Sequence, residues 1–317
     1  MKFAIHHFED NGLVGIRLLD TDNACSVDVL PAHGMLLHAF RIPYQNELFN
    51  VIDHYTGKEQ LQQEIALSYK GCKMSPFACR IPGGKYAVNG KQYEVQRKFI
   101  DGSAIHGLLS DKSFEEVNTQ SNNDSASATA SYHYDREDEG FPFQYSCEIK
   151  YTLLPSFQLT VETTVSNDDE QVIPIADGWH PYFTLGGLIN EYTLQFESKL
   201  MLEFNEHLVP SGRTIVTNDF IKPAIIRERE LDNCFALQLT DEGPCCILKN
   251  PLTNLALSIH TDKRYPFLQV FTPDHRQSIA LENLSGAPNC FNNKMGLILL
   301  EPGNSMKFWV KYKLSGL

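Results

Sequence analysis

The sequence predicts an all-β chain folded as one large antiparallel β-sandwich, and three observations carry that expectation. Apolar and polar residues alternate with a period of two along most of the chain, Asn-Gly and charged turns punctuate the alternating runs, and helical periodicity stays almost absent to the C-terminus. No fixed-period repeat is visible, and 317 residues is a length that large all-β folds reach as one unit. A single domain over residues 1–317 is therefore expected.

Taken in order, the chain opens as a β-meander. Phe3 to Phe8 and Val14 to Leu19 read as strands joined at Asn11-Gly12, and Cys25 to Leu30 alternates in the same way. Between Thr56 and Leu67, Gly57-Lys58-Glu59-Gln60-Leu61-Gln62-Gln63-Glu64 is the one place where helix formers dominate. It is short, so a loop or one or two helical turns is expected. Lys85 to Val88 and Lys91 to Val95 flank Asn89-Gly90, a type I′ hairpin signal. The Ser/Asn/Ala-rich run from Thr119 to Ser131 reads as a solvated loop or hairpin tip, because strand patterns resume on both sides. Glu137-Asp138-Glu139-Gly140 and Asn167-Asp168-Asp169-Glu170 read as charged turns.

Composition narrows the function classes. Apolar content of 42% supports a sizeable core, and a formal charge of −12 argues against nucleic acid or an anionic membrane as partner, since both need clustered Lys and Arg. His6, His7, Glu9 and Asp10 arrive before any apolar run long enough for a signal peptide, and no later run could span a bilayer, so a cytoplasmic protein is expected. Eight cysteines (Cys25, Cys72, Cys79, Cys147, Cys234, Cys245, Cys246, Cys290) lack C-x-x-C spacing, which indicates neither a zinc site nor a disulfide framework.

Four segments place residues able to carry chemistry at strand ends or turns. Asp177-Gly178-Trp179-His180-Pro181-Tyr182-Phe183 wedges one histidine among aromatic rings, which suits a sugar: rings stack on the C–H faces of a pyranose and the imidazole handles its oxygens. A core histidine with one hydrogen bond explains that stretch equally well. Arg80 follows Ser75-Pro76-Phe77-Ala78-Cys79 and reads alone as a surface arginine paired with a carboxylate. His106-Gly107 reads alone as a turn histidine facing water. Glu282, after the apolar Ile279-Ala280-Leu281, is either a strand-end glutamate in water or a carboxylate whose pKa burial raises towards that of a useful base.

In this order and combination the segments resemble the aldose 1-epimerase (galactose mutarotase) family, from about the first strand to the C-terminus. Cys79-Arg80 looks like the family's Asn-Arg turn, and His106-Gly107 like its His-Gly pair. His180-Pro181-Tyr182-Phe183 is its His-Pro-Tyr-Phe motif, and the tail from Glu282-Asn283-Leu284-Ser285-Gly286 to Glu301-Pro302-Gly303 is similar to the segment around its catalytic glutamate. The resemblance implies a galactose mutarotase-like supersandwich that interconverts the α and β anomers of a free hexose. It also implies that Asp232, in Leu231-Asp232-Asn233, binds sugar hydroxyls; read alone, Asp232 is as well explained by an Asx-type turn. Cys79 stands where the family usually carries asparagine, and a thiol is a poor substitute for an amide in hydrogen bonding.

Mutarotation takes the proton from the anomeric hydroxyl, protonates the ring oxygen, lets the aldehyde carbon rotate and closes the ring on its other face. The expected roles are Glu282 as base, His180 as acid, His106 at the charge developing on the ring oxygen, and Arg80 and Asp232 on the other hydroxyls. An ordinary His near ~6.5 and Glu near ~4.3 need modest shifts for this. The reaction is proton transfer alone, so no metal or organic cofactor is expected, and the expected partner is a small-molecule sugar. Two alternatives remain: a hexose-6-phosphate 1-epimerase, which needs a second basic residue beside Arg80, and a non-catalytic sugar-binding protein on the same fold. The sequence sets no oligomeric state.

Overall fold

Strict alternation of buried and open positions runs through the long strands of a nine-stranded antiparallel sheet. In Gln144–Leu154, Tyr145, Cys147, Ile149, Tyr151 and Leu153 point inward while their neighbours face outward, and Phe308, Val310, Tyr312 and Leu314 do the same in Ser305–Ser315. In this computed structural model, which describes residues 1–240 and 243–316, the sheet runs in the order Glu115–Ser121, Ala126–Asp135, Gln144–Leu154, Gln158–Asn167, Ser305–Ser315, Ala256–Thr261, Cys246–Lys249, Thr193–Phe196, Ala224–Ile225.

An eight-stranded sheet holds, in order, Pro210–Val216, Ser198–Phe204, Asp232–Leu237, Phe267–Phe271, Ile279–Leu284, Gly178–His180 and Cys72–Met74, with Tyr182–Phe183 also pairing with Ile279–Leu284. The two sheets pack through aromatic contacts, Tyr151 edge-on to Trp179 at 5.8 Å and Phe183 against Tyr312 at 5.3 Å. Each of these rings is almost fully buried, which contributes on the order of 1.5–3 kcal/mol apiece. Phe3–Asp10, Leu13–Asp20, Cys25–Leu30, Leu36–Tyr44 and Glu47–Asn50 form the N-terminal meander in sequence order.

Both Asn-Gly hairpins form as the sequence predicts, Asp10 pairing with Leu13 and Val88 with Lys91. Two expectations need correction. Lys58–Ser68 is an α-helix of 11 residues rather than one or two turns. Leu61 and Ile65, one turn apart, are buried beneath it, Gln60 reaches Glu64 across the next turn, and Tyr69 ends it with a left-handed φ of 52° while its N–H returns to the Ile65 carbonyl. Residues 119–131 belong mostly to two paired strands, with the turn confined to 122–125, where the Asn122 side chain accepts two backbone N–H bonds. Ala126, Ala128 and Ala130 are small enough to hide the period of two from a hydrophobicity reading, yet all three are buried.

All eight cysteines are free thiols. Among the described residues no helix is long and apolar enough to cross a membrane.

Candidate active site

The eight-stranded sheet has a core face and an outer face, and its register sorts the chemistry onto the outer one. Leu268, Val270 and Leu281 join the main core. Their neighbours alternate outward: Gln269 pairs directly with Glu282, Cys234 with Gln269, and Asp232 lies two residues from Cys234 on the same side. Parity likewise turns Trp179 to the core and His180 outward. The row Asp232, Gln269, Glu282, His180 is thus written by strand pairing.

Two turns cover this row. Arg80–Ile81 pairs with Ala104–Ile105, and the His106 N–H donates to the Cys79 carbonyl at 3.1 Å. Cys79 and His106 both hold left-handed φ, 54° and 53°. Gly107 follows with φ 77°, where a Cβ would lie 2.2 Å from the Ser75 carbonyl oxygen, so the His-Gly pair is a steric requirement of the two crossing segments. Arg80, His106, His180, Asp232 and Glu282 all line one cleft, as does Cys79.

The centre of the cleft is a buried pair: His180 Nε2 lies 3.3 Å from Glu282 Oε1, with the side chains 6% and 2% exposed. Burial raises the Glu282 pKa well above the usual carboxylate value, and nearby Asp232 adds to this against the opposing pull of Arg80. Burial lowers His180 to about 4, and Arg80 acts in the same direction. Desolvation thus favours the neutral pair, and between these two limits Glu282 and His180 together hold one proton. The His180 ring stacks on Tyr182 at 5.1 Å and meets the edge of His106 at 4.6 Å. His106 is itself driven to low proton affinity, by burial first and then by His180 and Arg80. Its Nδ1 rests 2.9 Å from the Met74 sulfur. A thioether has no proton to give, so the neutral ring carries its proton on Nδ1 and offers the Nε2 lone pair.

Around the pair, Gln269 Nε2 donates to Asp232 Oδ1 at 2.6 Å, Arg80 Nε donates to Asp101 Oδ2 at 3.2 Å, and Cys79 Sγ stands 3.9 Å from Glu282 Oε2. Asp232 has a raised pKa, chiefly from burial. Tyr69, Phe99, Phe204, Leu208 and Phe271 supply apolar walls. Of the residues not singled out from sequence, Gln269 matters most, and a lone polar residue in the apolar run Phe267-Leu268-Gln269-Val270-Phe271 is the signal that marks it.

Behind the site, Lys73 is fully buried, with Nζ 2.5 Å from Asp177 Oδ2 and 3.0 Å from the Gly178 carbonyl, and it sits over the Trp179 ring at 5.0 Å. Tyr265 donates to the other Asp177 oxygen at 2.5 Å, and the Asp177 N–H donates to Ser285 Oγ at 2.7 Å. This network ties the strand carrying His180 to the end of the strand carrying Glu282.

Known proteins resemble this chain in sequence and in fold. The family model for aldose 1-epimerase matches residues 17–313. An uncharacterized Escherichia coli protein, YihR, is 27% identical over 250 residues, 76% of this chain and 78% of that protein. The bifunctional protein GAL10 of Kluyveromyces lactis is 28% identical over 229 residues, 65% of this chain and 33% of GAL10. Among solved structures, a galactose mutarotase-like protein from Clostridium acetobutylicum superposes with a TM-score of 0.87 at 15% identity, covering 100% of this chain and 99% of that one. Galactose 1-epimerase from Lactobacillus acidophilus does so with 0.82 at 18% identity, covering 99% of both. With the family model matched across nearly all of its sheets and both turns over the cleft, the chain belongs to the aldose 1-epimerase family.

Proposed function

We propose that this sugar isomerase interconverts the α and β anomers of a free, unphosphorylated aldohexose, with Glu282 and His180 transferring the protons. The observation that carries the reading is the buried contact of 3.3 Å between the two side chains. Ring opening needs one group to accept the anomeric proton while another protonates the ring oxygen, and a pair holding a single proton supplies both. Sugar hydroxyls donating to the carboxylate favour its ionised form and shift the shared proton to His180. Glu282 then takes the anomeric proton, His180 protonates the ring oxygen, and closure on the opposite face reverses both transfers. His106, expected to stabilise charge developing on the ring oxygen, is recast by its Nδ1 contact with Met74: its free Nε2 lone pair accepts from a hydroxyl beside the ring oxygen. Arg80 and Asp232, the latter held by Gln269, take the remaining hydroxyls. Nothing in this scheme asks for redox or Lewis-acid chemistry, since proton transfer completes it.

Charge favours the free sugar over its phosphate ester. Among the described residues lining the cleft, Arg80 is the sole Lys or Arg; it is shared with Asp101 and faces Asp232 and Glu282. A phosphate dianion would meet one cation already paired with Asp101 and no second one. Eight free thiols support a cytoplasmic setting. The test is polarimetry or NMR of freshly dissolved α-glucose and α-galactose with and without the protein. Accelerated approach to anomeric equilibrium is expected. No acceleration with any free aldose, or acceleration confined to 6-phosphates, overturns the reading.

A further inference from the structure

Cys79 Sγ, a ring nitrogen of His106 and a carboxylate oxygen of Glu282 lie within 4.8 Å of one another, all three buried. Thiolate, imidazole and carboxylate form the mixed donor set that suits a zinc-like ion, and three protein ligands leave a fourth position open. The spacing is close to what such an ion needs. With metal–sulfur near 2.3 Å and metal–oxygen near 2.0–2.2 Å, a tetrahedral ion sets its S and O ligands about 3.5 Å apart. Cys79 Sγ and Glu282 Oε2 stand at 3.9 Å, so this pair needs a shift of a few tenths of an ångström, and the pairs with His106, within 4.8 Å, close by about an ångström at most.

The surroundings fix the donors. Met74 occupies His106 Nδ1, the backbone bond between His106 and Cys79 couples the two turns, and His180 Nε2 sits on the other Glu282 oxygen. Ligands oriented in this way by neighbouring groups are what metal sites require. We propose that Cys79, His106 and Glu282 form a binding site for a thiophilic divalent cation, with zinc as its type, and that occupancy blocks the enzyme. On binding, the Cys79 thiol and, where it is protonated, the Glu282 carboxyl release their protons to solvent, and the resulting two negative charges match the dication. Inhibition rests on the functional reading above, because it follows from Glu282 being engaged when the sugar needs it. The metal site itself stands on geometry alone.

The experiment separates the two. Cobalt(II) and zinc(II) chloride are titrated into the purified full-length protein in a non-chelating buffer. Cobalt is followed by its near-ultraviolet sulfur-to-cobalt charge-transfer band and the visible bands of tetrahedral cobalt, and zinc by competition with a chromophoric chelator. A saturable sulfur–cobalt band is expected, displaced by zinc, lost in Cys79→Ser and kept in Cys234→Ser. The zinc dissociation constant should rise by more than the roughly 100-fold typical of disturbing an outer-shell group when Cys79 or His106 is replaced, as in Cys79→Asn or His106→Gln. No sulfur–cobalt band in the unaltered protein overturns the proposal, as does a band that survives Cys79→Ser or disappears with Cys234→Ser. The band needs no folded variant to be sought. Mutarotation is then measured against zinc concentration: loss of rate in step with site occupancy supports blockade, and a filled site with undiminished turnover overturns the blockade and removes Glu282 from the mechanism while leaving the metal site in place.

Discussion

Replacing Glu282 by Gln keeps the volume and one acceptor oxygen of a side chain that is 2% exposed, and it removes the ability to take up the anomeric proton. Loss of a positioned general base lowers turnover by roughly 10²–10⁴-fold, or about 2.7–5.4 kcal/mol of barrier. The upper part of that range is expected here, because in this buried cleft the proton goes to His180 or Glu282 and water is poorly placed to substitute. Sugar affinity should change little, since Arg80, Asp232 and Gln269 are untouched. The same variant makes a stability forecast of definite sign. In the folded protein the Glu282 pKa lies well above the ordinary 4.5, so between those limits the unfolded chain ionises where the folded one does not. Each pH unit in that window disfavours the folded wild type by about 1.4 kcal/mol, a slope that glutamine abolishes. Glu282→Gln should therefore gain stability relative to wild type as pH rises from about 4.5, levelling off above the folded pKa. Polarimetry gives kcat and KM, a sugar titration gives affinity, and denaturant melts from pH 5 to 9 give the slope. Near wild-type turnover in a folded, sugar-binding variant would refute the assignment of the base.

Four further outcomes are expected. His180→Asn should lower kcat much more than it raises KM, because its proton matters only as the ring C–O bond breaks; an unchanged rate in a stable protein removes His180 from the mechanism. The pH profile of kcat/KM should be bell-shaped: activity needs one proton on the pair, so it fades as a second is added near the His180 value of about 4 and as the last is lost near the raised Glu282 value, and a rate flat from pH 3 to 10 contradicts this. Gln269→Ala frees Asp232 from its 2.6 Å donor and should raise KM by about 2–12-fold with kcat nearly constant, the worth of one hydrogen bond; a fall in kcat alone would show that Asp232 acts otherwise. Lys73→Met leaves Asp177 charged in the core and should destabilise the fold by roughly 3–5 kcal/mol, whereas a melting temperature within a degree or two of wild type would show that Asp177 is neutral there.

Much of this was legible in the sequence because strand parity is written in side chains. Phe267-Leu268-Gln269-Val270-Phe271 and Ile279-Ala280-Leu281-Glu282 show runs with isolated polar residues, and pairing them places Gln269 opposite Glu282. His106 is marked by the resemblance of its His-Gly pair, whereas Gly107 read alone points to a turn histidine facing water; the ring is in fact buried, and the Ser75 carbonyl explains the glycine. What stayed hidden depends on distance along the chain. Nothing local announces that residues 79, 106 and 282 share one small volume, that Lys73 meets Asp177, or that Gln269 braces Asp232. The helix Lys58–Ser68 is longer than the sequence suggests because only Leu61 and Ile65 are buried, too few positions to write a clear helical period. The strand from Ala126 was missed because alanine is a weak hydrophobic marker.

Ser305–Ser315 lies in the middle of the nine-stranded sheet, bonded to Gln158–Asn167 on one side and Ala256–Thr261 on the other. Synthesis delivers it after both neighbours, so between residues 261 and 305 the sheet consists of two halves, each with a bare edge able to pair with other chains. Joining them closes contacts across about 150 residues, a separation that slows folding. A frameshift or stop before residue 305 therefore leaves two half-sheets with open edges rather than a slightly shortened enzyme.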